Sequence, residues 1–324
     1  MPGPLAHIRV LDLSRVLAGP WATQLLADLG AEVIKVERPG TGDDTRHWGP
    51  PYLGDPREAA YFLAANRGKR SLTLDLASPE GQDIARRLAA QSDVLVENFA
   101  VGTLARWGLA WDDVRTVNAR LVYCSVTGYG QAGPNAARAG YDFAIQAEAG
   151  LMSVTGERDG RPGAGPQKAG VAVADLNAGM YACVAILAAL VHRDRTGQGQ
   201  HIDLALFDAQ VAALANVALN HLVSGEIPRR WGNAHVNIVP YNLFDTADRP
   251  IVLAVGNDAQ FHRFCEIAGR PDLAADPRFA TNDARVRHRD ACIATLDPVL
   301  RTRPAADWLG ALGAAGIPCP PVTH

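Results

Sequence analysis

Residues 8–13 read Ile-Arg-Val-Leu-Asp-Leu, a short apolar run, and similar runs recur at 32–37, 71–76, 93–96 and 121–126. Each has the length of a strand and is bounded by turn residues. Between them lie helical patterns. Residues 21–29 place Leu25, Leu26 and Leu29 on one stripe and stop at Gly30, a residue suited to the left-handed position after a helix. Ser78-Pro79-Glu80 combines an N-cap, a first-turn proline and an acid, and opens a helix to about residue 91. Residues 111–117 supply the next crossover. Strands alternating with helices predict an α/β fold with a parallel, Rossmann-like sheet. The almost wholly apolar stretch 178–191 is too short to span a bilayer and predicts a buried core helix. A strand at 200–206 and a helix at 208–224 follow, then the polar linker Gly225-Glu226-Ile227-Pro228-Arg229-Arg230. Beyond it a hairpin is expected from 240–245 and 251–255, with helices at 259–268, 289–300 and 305–312. The pattern predicts a large domain over 1–225 and a smaller α+β domain over 226–324.

With 324 residues, 48% hydrophobic and 20% charged, the chain can bury a large core. Net charge is -3 and the basic residues are dispersed, which points away from nucleic acid and from an anionic membrane surface. The five cysteines are widely spaced and form no C-x-x-C. Neither a disulfide framework nor a zinc site is expected, and a reducing cytoplasm fits best. The nine histidines show no metal-binding spacing, so no metal is expected. The first strand-to-helix turn, residues 14–20, lacks the G-x-G-x-x-G of dinucleotide binding. A nicotinamide cofactor is therefore disfavoured. Residues 156–170 hold five glycines and serve either as a lid or as a surface connection.

Asp175 is the most informative single residue, a lone carboxylate at the head of that apolar stretch. As an N-cap it would accept hydrogen bonds from the first-turn N–H groups. As a nucleophile it would be kept ionised by the same N–H groups and the helix dipole, with its pKa below about 3.9. The two roles are compatible.

The segment Gly170-Val171-Ala172-Val173-Ala174-Asp175-Leu176-Asn177-Ala178-Gly179-Met180-Tyr181 resembles the class III coenzyme A transferases. So do Arg15-Val16-Leu17-Ala18-Gly19-Pro20, Ile34-Lys35-Val36-Glu37-Arg38-Pro39-Gly40 with Gly42-Asp43, and Val94-Leu95-Val96-Glu97-Asn98-Phe99, in the family's order. The resemblance covers nearly the whole chain and implies a Rossmann-like large domain with a smaller α+β domain. It implies that Asp175 is acylated during transfer of CoA from an acyl-CoA thioester to a carboxylic acid. CoA is then a substrate, and no cofactor is permanently bound. Val16, Leu17 and Ala18 would line the coenzyme path, Arg38 would sit at its adenosine end, and Asn98, Phe99 and Arg106 would continue the surface. Lys69 and Arg70 would add positive charge. Tyr129 is weighed as a contact to the thioester or as a packed tyrosine.

His235, in the segment 232–241, is weighed as a ligand for a distal carboxylate or as a structural histidine. That segment resembles most the branch using succinyl-CoA and dicarboxylic acceptors. Two alternatives stand beside transfer. One is an α-methylacyl-CoA racemase, whose histidine base is replaced here by Tyr141 of Gly140-Tyr141-Asp142-Phe143; tyrosine, with a free pKa near 10, is a poor substitute. The other is an inactive, truncated member. Gly316-Ile317-Pro318-Cys319-Pro320-Pro321-Val322 matches a motif after which relatives continue. The chain is thus expected to lack the segment that returns to the large domain and closes the interlocked homodimer of the family, and to be less stable for it.

Overall fold

The computed structural model describes residues 3–55 and 57–323; Met1, Pro2, Pro56 and His324, and with them the chain end weighed above, lie outside the described residues. The chain divides into two compact units, Met1–Met152 with Lys168–Glu226, and Ser153–Gln167 with Ile227–His324. This differs from a single cut between 225 and 226. Ser153–Gln167 joins the second unit because its backbone is held there: the Gly232 N–H donates to Gly156 O at 3.0 Å and Arg230 Nε to Glu157 O at 3.2 Å.

In the first unit the order is β1 (Arg9–Asp12), α1 (Ala18–Asp28), β2 (Glu32–Glu37), α2 (Ala60–Asn66), β3 (Lys69–Thr73), α3 (Pro79–Ala90), β4 (Val94–Glu97) and β5 (Val122–Thr127). Then come α4 (Asp142–Glu148), α5 (Val173–Thr196), β6 (His201–Ala205), α6 (Leu206–Ala213) and α7 (Ala215–Ser224). The six strands form one parallel sheet in the order β3-β2-β1-β4-β5-β6. Val10 pairs with Val33 and Val94, and Leu11 with Leu95. The valines face a core shared with α1 and α5, while Leu11 and Leu95 face the opposite core with Leu76, Ala85 and Ala89. Burial on both faces explains why these strands read as continuous apolar runs rather than alternating ones. The order reverses between β1 and β4, so the loops after these two strands diverge at the carboxyl edge and leave a crevice. In open α/β sheets that is where ligands bind.

Several elements differ from their expected bounds. β3 begins at Lys69, two residues ahead of the expected strand, and ends at Thr73. The crossover at 111–117 is a single turn, Trp111–Val114. The helix at 208–224 is broken into α6 and α7, which meet at 75°, and Ala215 takes a φ of 44° at the break. α5 extends well past both ends of the apolar stretch; its 24 residues have the length and hydropathy of a membrane span. Yet Ala174, Ala178, Ala182 and Ile186 are buried in the sheet's core, so α5 is the core helix expected. α2 and α4, whose short patterns carry no clear period, were not anticipated.

The second unit contains the antiparallel hairpin β7 (Tyr241–Phe244) and β8 (Ile251–Ala254), with α8 (Asp258–Ile267), α9 (Asn282–Arg287), α10 (Arg289–Leu300) and α11 (Ala305–Ala314). Phe244, Ile251, Phe261, Phe264, Leu296 and Trp308 form its core. The 318–321 segment lies along β8: Val252 N–H donates to Pro320 O and Ala254 N–H to Pro318 O, both at 3.0 Å.

Candidate active site

The crevice at the β1/β4 divergence holds a cavity of about 300 Å³. Its walls are the loop after β1 (Arg15 to Ala18), the loop after β4 (Asn98 to Val101), the segment 136–141 and Asp175. Close backbone approaches shape it. A Cβ on Gly179 would stand 2.7 Å from Ala18 O and 3.0 Å from the Trp21 side chain. Only glycine lets α5 come this near the start of α1, which brings Asp175, one turn earlier, against the loop after β1. Gly128 and Gly140 meet in the same way, each Cβ position lying within 2.5 Å of the other's Cα.

Asp175 is the third residue of α5, with Ala172 at the N-cap, so it does not cap the helix. That task falls to Asp142, the first residue of α4, which accepts from Ala174 N–H at 2.9 Å and from Gln146 Nε2 at 2.7 Å. Gln146 in turn accepts from Ala169 N–H at 2.8 Å. Together they fasten the segment leading into α5. Among the described residues nothing donates a hydrogen bond to the Asp175 carboxylate. Burial first, and the Asp142 carboxylate second, push its pKa from the ordinary 3.8 up to about 7. This reverses the expected depression. A helix terminus stabilises an anion by about 0.3–1 kcal/mol at exposed sites, and desolvation beside a like charge exceeds that.

The loop after β1 is held rigidly. Asn98 accepts from Arg15 N–H at 2.8 Å and donates back to Arg15 O at 2.7 Å. Val16 adopts φ 69°, a strained position for a β-branched residue. Its N–H is directed to the Asp43 carboxylate at 3.3 Å. Asp43 pairs with the buried Lys35 at 2.9 Å, and Lys35 also donates to Ser14 O at 2.8 Å. The loop after β4 is tied by Phe99 N–H donating to the buried Glu97 at 2.9 Å.

Of the expected coenzyme surface, the cavity brings Val16, Leu17, Ala18, Asn98 and Phe99 together with Asp175. The remaining residues lie elsewhere. Arg38 is exposed and pairs with Asp44 at 2.5 Å; Asp44 itself lines the cavity. Lys69 is not a surface cation. Its side chain is buried and donates to Asp12 at 3.0 Å, Pro20 O at 2.9 Å and Asn66 at 2.9 Å. Arg70 pairs with Glu32 at 2.8 Å, at the amino-terminal side of the sheet and away from the crevice. Arg106 is exposed and its side chain donates to Thr103 at 3.1 Å. The Tyr129 hydroxyl donates to Glu148 at 2.9 Å and its ring borders a neighbouring cavity. His235 belongs to the second unit, where it shapes its own turn: Nδ1 accepts from Asn237 N–H at 3.0 Å and the ring packs on Tyr241 at 5.2 Å.

Sequence reasoning missed Arg15, Asp142 and Tyr61. Arg15 lines the cavity with its guanidinium 5.4 Å from the Phe99 ring centre. Tyr61 has its hydroxyl pKa raised by burial and by Asp175, Asp142 and Asp43, which places it in the electrostatic field of the site. Arg15 and Asp142 fall inside motifs quoted above and had that signal. Tyr61 had none.

Residues 5–324 match CoA-transferase family III. The chain is 55% identical to the succinate–glutarate CoA-transferase of Agrobacterium fabrum, over 88% of this chain and 72% of that protein. It is 44% identical to the human succinyl-CoA:glutarate CoA-transferase, over 99% of this chain and 72% of that one. A crystal structure of a CAIB/BAIF family protein from Brucella suis superposes with a TM-score of 0.86 at 49% identity, covering 100% of this chain and 85% of that one. With its parallel sheet, its crevice and these relatives, the chain belongs to CoA-transferase family III.

Proposed function

We infer that this protein moves coenzyme A from a dicarboxylic acyl-CoA, succinyl-CoA first among them, to a carboxylic acid acceptor, with Asp175 as the covalent nucleophile. One observation carries the reading: the Asp175 carboxyl stands on the cavity wall with no hydrogen-bond donor engaging it among the described residues and a pKa near 7. A carboxylate of that basicity is a stronger nucleophile than an ordinary one and is still about half ionised at neutral pH. The relatives described above are named for succinate or succinyl-CoA and for glutarate, which supports the choice of donor.

The carboxylate attacks the donor's thioester carbonyl; the C–S bond breaks, CoA leaves as thiolate, and a mixed anhydride links Asp175 to the donor acyl group. The thiolate attacks the aspartyl carbonyl, expels the donor acid as its carboxylate and leaves an aspartyl-CoA thioester. The acceptor carboxylate attacks that thioester, and the released thiolate then attacks the acceptor carbonyl of the second anhydride. Asp175 is regenerated and no proton is consumed overall. Val16, Leu17, Ala18 and Phe99 give the thioester arm a largely apolar wall, the Asn98 amide being taken up by the backbone of Arg15, and such a wall keeps water from the anhydride.

We extend the reading to a cytoplasmic homodimer. α5 exposes Met180, Tyr181, Val184 and Val191, and α7 exposes Leu219, Leu222 and Val223, an apolar surface of the kind that marks protein contacts. All five cysteines are free and buried, which suits a reducing compartment. Light scattering of the purified chain tests the assembly.

The mechanism is tested by incubating the protein with a panel of acyl-CoA thioesters and free acids under mass-spectrometric readout. Asp175→Ala should lower transfer by about 10³-fold or more, and hydroxylamine added during turnover should mark the peptide carrying Asp175. Full transfer by the alanine variant would refute the nucleophile. Deuterium washing into the α-carbon of a 2-methylacyl-CoA would favour a racemase instead.

A further inference from the structure

Outside the crevice, the second unit gathers positive charge that its own acids do not balance. Trp231 is surrounded by three guanidiniums, with Arg289, Arg158 and Arg229 at 4.4, 4.9 and 5.1 Å from its ring centre. Cation–π contact of this kind is a common structural device, and one such pair would need no explanation. Three around one indole repel one another unless anions are near. Arg158 has one, Asp290 at 2.9 Å. Arg229 is exposed and, among the described residues, makes no hydrogen bond or ion pair beside its contact with the indole. Arg289 is buried and donates only to the neutral carbonyls of His235 and Val236, at 2.8 and 2.7 Å. Burial and the nearby Arg158 lower the pKa of its guanidinium, with Asp290, shared with Arg158, offsetting part of this. These residues, with Arg287, which pairs with Asp283 outside the lining, line a concavity of about 370 Å³ in which Asp290 is the one acid among the described lining residues.

We propose that the Trp231 concavity is an anion site for a compact ligand bearing at least two negative charges, held by Arg229, Arg289 and Arg158. Guanidiniums present paired donors that match carboxylate and phosphate oxygens. The indole faces are already covered by cations, so the site suits a dianion rather than a stacked base. A short dicarboxylate and a phosphate or pyrophosphate share this chemistry. The inference does not depend on Asp175, and transfer activity survives its failure.

Calorimetric titration of the full chain at low ionic strength, with inorganic pyrophosphate, glutarate and acetate as separate probes, tests it. A saturable heat with pyrophosphate or glutarate, and none with acetate, is expected; the stronger of the two identifies the source. Tryptophan emission should change with the same midpoint and lose that change in Trp231→Phe. Arg229→Gln should weaken binding about tenfold or more, the loss of one charge-assisted contact, and because Arg229 is exposed the variant keeps its fold. Arg158→Gln, which leaves the carbonyl contacts of Arg289 intact, should act in the same direction. The absence of a saturable heat below about 10 mM, acetate binding as well as the dianions, or unchanged affinity in both arginine variants would each overturn the proposal. So would an emission change that persists in Trp231→Phe.

Discussion

Replacing Asp175 by asparagine should stabilise the protein in alkaline solution and leave it unchanged in acid. The aspartate's pKa rises from 3.8 in the unfolded chain to about 7 in the folded one. Between those values the folded chain holds a proton that the unfolded chain has released, so stability falls as pH rises from about 4 to about 7 and is level beyond. The interval, at about 1.4 kcal/mol per pH unit, sets a ceiling of about 4 kcal/mol. Asp175 is only half-buried, and water reaching the carboxylate reduces the figure to about 2 kcal/mol. Asparagine, nearly isosteric with the protonated acid, lacks this penalty. Thermal melts of both proteins from about pH 3 to 8.5 should converge at the acid end and separate by about 4–8 °C at the alkaline end. Parallel curves, or an asparagine variant less stable at every pH, would show that the carboxylate is well solvated or hydrogen-bonded, and the desolvation argument would fail.

Asp142→Asn removes the like charge beside Asp175, so the acid limb of kcat/KM against pH should move below its wild-type position near pH 7; a limb that stays in place would leave burial as the sole cause. Lys69→Met strands Asp12, whose carboxyl is buried but held down to about 2 by Lys69, Lys35 and hydrogen bonds from Ser14 and Thr23. Urea unfolding should show a loss of about 3–5 kcal/mol, whereas Arg70→Ala, breaking an exposed pair with Glu32, should cost less than about 1 kcal/mol. Gly179→Ala sets a methyl 2.7 Å from Ala18 O; transfer should fall at least tenfold as α5 shifts from α1, and an unchanged rate would show that the contact yields freely.

The parallel sheet was legible because its strands are buried on both faces, which writes apolar runs such as Val94-Leu95-Val96 directly into the chain. The walls of the crevice were legible through motifs, since Arg15 to Ala18 and Asn98–Phe99 occupy the two loops that the strand order separates. Charge was not legible. Lys69 and Arg70 are neighbours in a strand and point to opposite faces, so one neutralises Asp12 in the interior and the other lies on the surface with Glu32. Nothing local distinguishes them. For Tyr129 and His235 the chain left two roles open for the same reason, because their partners Glu148 and Tyr241 are set by tertiary packing. Tyr61, within an unremarkable seven-residue helix, acquires significance only from the carboxylates that folding brings near it.

The division of labour between Asp142 and Asp175 suits the nucleophilic role proposed for Asp175. A carboxylate serving as N-cap spends its oxygen lone pairs on backbone N–H groups, which lowers its basicity and orients those oxygens into the helix. Setting Asp175 two residues beyond the first residue of α5 avoids this. The N–H of Ala174 is still satisfied, because Asp142 reaches across from α4. One acid thus supports the helix terminus while the other keeps its oxygens free toward the cavity. The same arrangement places a negative charge beside Asp175 and raises its pKa toward neutrality, so the residue that frees the Asp175 oxygens also makes that carboxylate more basic. A third effect lies beneath both: the buried Lys35–Asp43 pair, at 2.9 Å, holds Val16 in its strained conformation on the wall of the cavity that Asp175 also lines. The stability cost of the site is concentrated in that loop and in Asp175, where it contributes to a fixed wall and a basic carboxylate.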